Sequence, residues 1–175
     1  MMDRRRILLF TGDGKGKTTA ALGMALRAAG HGLKTLILQF VKSDRATGEI
    51  TACRFIPGAE IVQTGRGFVP AQTSPAFAEH REAAQAGLGL AEKAILSGRY
   101  ELIVLDELCT AVGKGVIDED QVVDLIGRAS PAVCIVMTGR NATAGLIALA
   151  DTVTQMQPVK HGYATGISAQ KGVEY

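Results

Sequence analysis

A chain of 175 residues, 47% hydrophobic and 21% charged, has the size and apolar content for one domain, residues 1–175, with its own buried core. Its formal net charge of +2, with basic and acidic residues interspersed, argues against a nucleic-acid or anionic-membrane surface, so an anionic ligand is expected to be held locally. No apolar stretch approaches the roughly 18 residues that cross a bilayer, and no membrane association is expected. Arg4-Arg5-Arg6 followed by Ile7-Leu8-Leu9-Phe10 is too short an apolar run for a secretory leader and reads as the start of a strand, so the expected location is the cytoplasm. Cys53, Cys109 and Cys134 are widely spaced and lack paired metal-site spacing, which suits reduced thiols. Cys134 falls in an apolar run, as a small buried hydrophobe would.

In chain order, an apolar strand is expected over residues 6–10, then a Gly-rich turn, then a helix over 17–29 that Gly30 and Gly32 can stop. A second strand is expected over 34–40 and a third over 60–64, followed by a stretch without period, 64–75, rich in Gly, Pro, Thr and Ser. That stretch is either a ligand-contacting loop or an ordinary surface loop. A long helix over 75–96, a strand over 101–105, a helix over 118–127, a strand over 132–137, a helix over 143–150 and a strand over 152–156 complete the pattern. Short apolar runs alternating with helical segments predict an α/β domain of βαβ units around a mostly parallel sheet, with helices on both faces and the sheet buried between them.

The turn after the first strand reads Gly12-Asp13-Gly14-Lys15-Gly16-Lys17-Thr18-Thr19. A strand, a Gly-rich turn and Lys-Thr opening a helix is the context of a phosphate-binding P-loop. The fold class predicted is therefore P-loop NTPase-like (RecA-like). Glycines 12, 14 and 16 free the backbone to aim N–H groups at phosphate oxygens, and the helix start adds its positive dipole end. Lys17 supplies a charge to the polyphosphate and the Thr18 hydroxyl a ligand for Mg²⁺. The loop is a variant: Thr11 stands where the general pattern has its first glycine, which is displaced to Gly12.

Asp106 and Glu107 end the strand Leu102-Ile103-Val104-Leu105, at the edge where parallel sheets bind ligands. Such a pair alone is more often a helix cap, but beside a P-loop it is expected to serve Mg²⁺ (or Mn²⁺), with Thr18 and Glu107 as the metal pair and Asp106 behind them. Arg140 follows the strand ending Met137-Thr138-Gly139 and is either a polyphosphate contact or a surface ion pair. Arg27, farther along the first helix, is a weaker candidate for the nucleotide.

These motifs leave the reaction open, since P-loops serve kinases, ATPases, switches and transferases. The run Thr11 to Gly23, with its displaced glycine, resembles the opening of the P-loop type corrinoid (cob(I)alamin) adenosyltransferases. Further blocks match that family in order: Gln39-Phe40-Val41-Lys42, Gly65-Arg66-Gly67-Phe68, Val104-Leu105-Asp106-Glu107-Leu108, Thr138-Gly139-Arg140-Asn141-Ala142, Pro158-Val159-Lys160-His161, and Ala169-Gln170-Lys171-Gly172-Val173-Glu174-Tyr175. The resemblance spans nearly the whole chain. It implies transfer of the 5′-deoxyadenosyl group of ATP to Co(I) of a reduced corrinoid, cobalamin or a precursor, with triphosphate leaving, in adenosylcobalamin synthesis or salvage. It further implies a homodimer, a flavodoxin-like or other flavin reductase as electron donor, Phe68 as a corrinoid contact and His161 at the nucleotide or corrinoid. In the family the Gly-x-Gly-Phe loop can carry a Trp two residues after the Phe; here that position is Pro70 and the chain has no Trp. Either Phe68 with Val69 and Pro70 forms a sufficient apolar wedge, or the preferred corrinoid has a weak or missing lower ligand. The rival class is a P-loop ATPase or kinase, which would release ADP and phosphate.

Overall fold

The computed structural model describes residues 5–174. Arg4 and Tyr175, which belong to blocks quoted above, lie outside the described residues. The strands are β1 (Ile7–Thr11), β2 (Thr35–Gln39), β3 (Ala59–Gln63), β4 (Leu102–Asp106), β5 (Cys134–Thr138) and β6 (Thr152–Gln155), in the sheet order β3-β2-β4-β5-β1-β6. Every neighbouring pair is parallel. All the expected strands form. So do the expected helices, now α1 (Lys17–Gly30), α3 (Phe77–Leu96), α5 (Glu119–Gly127) and α6 (Ala144–Leu149). Two short helices, α2 (Gly48–Cys53) and α4 (Leu108–Gly113), were not expected, and a 3₁₀ turn spans Gly162–Thr165.

The central strands β2 and β4 are buried at every position because helices cover both faces. Alternation divides their side chains between two clusters. Leu36, Leu38, Ile103, Leu105, Ile135 and Met137 pack with the apolar faces of α3, α5 and α6. Ile37, Leu102, Val104 and Val136 pack with Ala21, Ala25 and Ala28 of α1. Alanine at that helical spacing lets α1 lie close on the sheet. Each fully buried Leu or Ile contributes about 1.5–3 kcal/mol of transfer free energy.

The expectation that the whole sheet is buried needs correcting at its edges. β6 is exposed at every position and β3 alternates between half-buried and exposed, because the helices pack over the centre and leave the outer strands without a full cover. Cys134, expected in the core, is half-buried.

Register also sets up a polar row. Gln63 pairs with Gln39, and Gln39 with Asp106, while Leu105 pairs with Met137, which sets Asp106 beside Thr138 at the next step. Each is the last residue of its strand, so four carboxyl ends present polar side chains side by side. They bond in sequence: Gln63 Nε2 donates to Gln39 Oε1 at 3.0 Å, Gln39 Nε2 to Asp106 Oδ2 at 3.1 Å, and Thr138 Oγ1 to Asp106 Oδ1 at 2.7 Å.

Candidate nucleotide site

The loop between β1 and α1 wraps over this carboxyl edge. Gly12 has φ +93°, and a Cβ there would lie 2.3 Å from the Met156 carbonyl oxygen; at Gly14 a Cβ would lie 2.8 Å from the backbone of Gln157. The loop is therefore pressed against the chain leaving β6, where the Gly14 N–H donates to Met156 O at 2.8 Å, and only glycine fits. Lys17 is buried and its ammonium donates to Gly12 O at 2.6 Å and Gly14 O at 2.8 Å, spanning the loop from inside. Burial pushes the Lys17 ammonium below its ordinary value and Arg140 presses the same way, against Glu107, Asp13 and Asp106.

Asp106 is fully buried. Besides Thr138 and Gln39 it accepts a hydrogen bond from Thr18 Oγ1 at 2.7 Å, and Lys42 Nζ lies 3.7 Å from its Oδ2. The carboxylate hydrogen-bonded to Thr18 is thus Asp106, the one expected to stand behind the Thr18–Glu107 metal pair. Glu107 sits one residue on, in the left-handed region at φ 62°, which a non-glycine residue adopts only when held. Its backbone N–H donates to Thr138 Oγ1 at 2.9 Å and its carboxylate accepts from the Thr110 hydroxyl. That turn aims Glu107 into the cavity beside Lys17 and Thr18. Among the described residues no three His, Cys, Asp or Glu side chains gather as a metal cluster. Thr18, Asp106 and Glu107 still form an oxygen-only set of the kind Mg²⁺ takes when phosphates and waters supply its other ligands.

The cavity over the loop has a volume of about 550 Å³, within the range of small-molecule sites. Loop residues 13–19, including Asp13, Lys15, Gly16 and Thr19, form its floor; Lys42 and Glu49, Glu107 and Arg140, His161, and Gly172 to Glu174 complete the walls. A second cavity of about 650 Å³ shares Asp13, Lys15, Arg140 and His161 with it and continues past Tyr163 and Ile167. Lys15 is turned toward the tail, donating to Val173 O at 2.8 Å and pairing with Glu174 at 3.3 Å. Arg140 stands at the mouth, its Nε 3.8 Å from Asp13 Oδ1 and both side chains largely exposed, so it is at once a cavity residue and a loose surface pair. His161 is exposed, and its Nδ1 accepts from the Tyr163 N–H at 3.2 Å.

Arg27 is not brought to the site: ten residues beyond Lys17 on α1 is about 15 Å along the axis, and the side chain is exposed. Phe68 is 85% exposed, so it is no core residue. Its ring has the Lys114 ammonium 5.8 Å from the centroid, and its loop is tied to the end of β2 by Gly67 N–H donating to Val41 O at 2.8 Å. The loop therefore stands on the same edge as the phosphate cavity.

Sequence reasoning assigned no role to Thr138, Thr110, Lys42 or Glu49. The signal for Thr138 was present: four strands that each end in a polar residue, a pattern visible only once their order is known. Lys42 is about a third exposed and donates to Glu49 Oε1 at 2.9 Å. Burial lowers its affinity for a proton, but Asp106 and Glu49 outweigh that and hold the ammonium above its ordinary value. Glu49 is held below the usual carboxylate range because hydrogen bonding and charge from Lys42 outweigh its own burial.

A Gly-rich loop pinned by its own lysine, a helix opening with Lys-Thr and a threonine bonded to a strand-end aspartate, all on a parallel sheet, define a P-loop nucleotide-binding protein. The fold agrees with that of the flagellar accessory protein FlaH from Methanocaldococcus jannaschii (TM-score 0.56, 9% identity, 86% of this chain and 70% of that one), a likeness of fold alone. Within the class, residues 3–175 match the family described as ATP:corrinoid adenosyltransferase BtuR/CobO/CobP, and the chain belongs to that family. It is similar to a corrinoid adenosyltransferase of Pseudomonas aeruginosa, 40% identical over 177 residues, 99% of this chain and 85% of that one. It is also similar to the corrinoid adenosyltransferase of Escherichia coli K12, 34% identical over 175 residues, 99% of this chain and 87% of that one.

Proposed function

We propose that this chain transfers the 5′-deoxyadenosyl group of ATP to Co(I) of a reduced corrinoid and releases triphosphate. The observation that carries the reading is the Lys17-pinned loop facing Thr18, Asp106 and Glu107 in a chain that belongs to the adenosyltransferase family. In the reaction the cobalt electron pair forms the Co–C5′ bond while the C5′–O5′ pair leaves on the triphosphate. No proton has to be removed, so no general base is required of the cavity. The chain's task is to hold ATP with C5′ in line with cobalt and to stabilise the charge on the leaving oxygen. Loop amides, Lys17 and Arg140 serve that charge, with Asp13, Lys15, Thr19 and His161 around the nucleotide. Thr18, Asp106 and Glu107 would hold Mg²⁺ (or Mn²⁺), which neutralises polyphosphate charge when bound.

Phe68 is the corrinoid contact in this reading, an exposed ring on the edge shared with the cavity. The working unit is a homodimer served by a flavin reductase, acting in the cytoplasm in cobalamin synthesis or salvage. Free thiols suit a reducing compartment, and no helix among the described residues is long and apolar enough to cross a membrane. The test mixes the protein with Mg-ATP and chemically reduced corrinoid. Light-sensitive cobalt–carbon product with equimolar triphosphate is expected. ADP and phosphate released at the same rate without corrinoid would make it a P-loop ATPase instead.

A further inference from the structure

We propose that Lys42 is a further triphosphate-binding cation, facing the loop across the cavity, with Glu49 competing for its ammonium; this deepens the reading above, since it takes the cavity to hold the polyphosphate end of ATP.

Of the cations around the cavity, Lys17 lies within the loop, bonded to two loop carbonyls, Lys15 is turned to the Val173 carbonyl and Glu174, and Arg140 is at the mouth. All three belong to the loop or to the β5 side. Lys42 comes from the opposite side, three residues beyond the end of β2, with its ammonium 2.9 Å from Glu49 and 3.7 Å from Asp106. Asp106 in turn is the acceptor of the Thr18 hydroxyl, so Lys42 sits one carboxylate away from the residue expected to hold the metal.

An ammonium has three donors in directions its flexible stem can vary. Lys42 bonds Glu49 and lies near the buried Asp106, and its side chain lines the cavity. Glu49, at the start of α2, has Gln39 Nε2 3.4 Å from the same Oε1 that accepts from Lys42. Without Lys42 that carboxylate keeps a polar neighbour, and without Glu49 the ammonium keeps Asp106 and gains freedom to turn to phosphate. Lys42 and Glu49 therefore have opposite effects on an anion in the cavity. A simple fastening of α2 to the sheet would make them equivalent, because either substitution breaks the same pair.

That asymmetry is the test. Inorganic tripolyphosphate with Mg²⁺ is titrated calorimetrically into wild-type protein, Lys42→Gln, Lys42→Arg and Glu49→Gln, each checked for an unchanged circular-dichroism spectrum. Lys42→Gln is expected to bind roughly 10- to 100-fold more weakly, the range of one charge-assisted contact, and Lys42→Arg to restore most of the affinity. Glu49→Gln is expected to bind as tightly as wild type or more tightly. Lys42→Gln within about twofold of wild type, or equal weakening by Lys42→Gln and Glu49→Gln, would overturn the assignment. Because the titration contains neither adenosine nor corrinoid, a wild-type protein that forms no cobalt–carbon product would sink the adenosyl-transfer reading alone.

Discussion

Thr138→Val isolates the residue that joins the two carboxylates of the site. Valine matches threonine in shape and strand preference, so the change opens no cavity and leaves β5 its intrinsic propensity. It removes the hydroxyl that donates to Asp106 Oδ1 at 2.7 Å and accepts from the Glu107 N–H at 2.9 Å. The first is a charge-assisted bond, worth about 1.5–3 kcal/mol, and stranding a largely enclosed N–H costs about 1–3 kcal/mol. Asp106 keeps Thr18 and Gln39 as donors, so the expected total is the lower part of that sum, roughly 2.5–4 kcal/mol. At about 2–4 °C per kcal/mol for a chain of this size, the melting temperature should fall by roughly 5–16 °C. The same bond tethers Glu107 in its left-handed turn, so the concentration of Mg²⁺ giving half-maximal activity should rise as well. Scanning calorimetry of wild type, Thr138→Val and Thr138→Ser reads the first effect, and serine, which keeps the hydroxyl, should recover most of it. A Thr138→Val protein melting within about 2 °C of wild type, or a serine variant melting as low as the valine, would refute the assignment of these two bonds.

Lys17→Ala removes the charge inside the loop and should lower the rate of adenosyl transfer by about 10²–10³, measured as loss of Co(I) absorbance at saturating corrinoid. Gly65→Ala would set a Cβ 2.2 Å from the backbone carbon and oxygen of Val41, so the loop bearing Phe68 must move. Its KM for corrinoid should rise at saturating Mg-ATP. Cys109 is buried, and burial, with Glu107 adding, pushes its thiol from 9.0 up to about 12. Its stabilising contribution is therefore complete below about pH 9 and is lost as pH rises toward 12, because the unfolded thiol ionises first. Denaturant midpoints between pH 8 and pH 10.5, roughly either side of that onset, should fall less in Cys109→Ala than in wild type. Iodoacetamide should leave Cys109 of the folded chain unmodified at pH near 8.

The strands were legible because each is an apolar run bounded by breakers, and the phosphate loop because its chemistry is written in consecutive residues. α2 and α4, six residues each, are too short to show a helical period, and α4 follows Glu107 without any break in composition that would announce it. The exposure of β6 was hidden for a different reason. Its composition, Thr-Val-Thr-Gln, suits an open edge, but position in the sheet is a property of strand order, which no local pattern contains.

The different settings of Asp106 and Glu107 have the same origin. Two adjacent carboxylates at a strand end look equivalent in sequence, yet side-chain alternation allows only one of them to share a row with its neighbours. Cross-strand register gives that place to Asp106, between Gln39 and Thr138, where three donors and a nearby lysine satisfy a buried charge. Glu107, one residue later, has left the sheet, and its left-handed turn sends it into the cavity instead. The two carboxylates are thereby separated into one enclosed in the strand row and one that lines the cavity, where the Thr110 hydroxyl donates to it. This division explains why Asp106 cannot be moved without unfolding its row, while Glu107→Gln is expected to spare the melting temperature to within about 2 °C and to act on Mg²⁺ dependence alone.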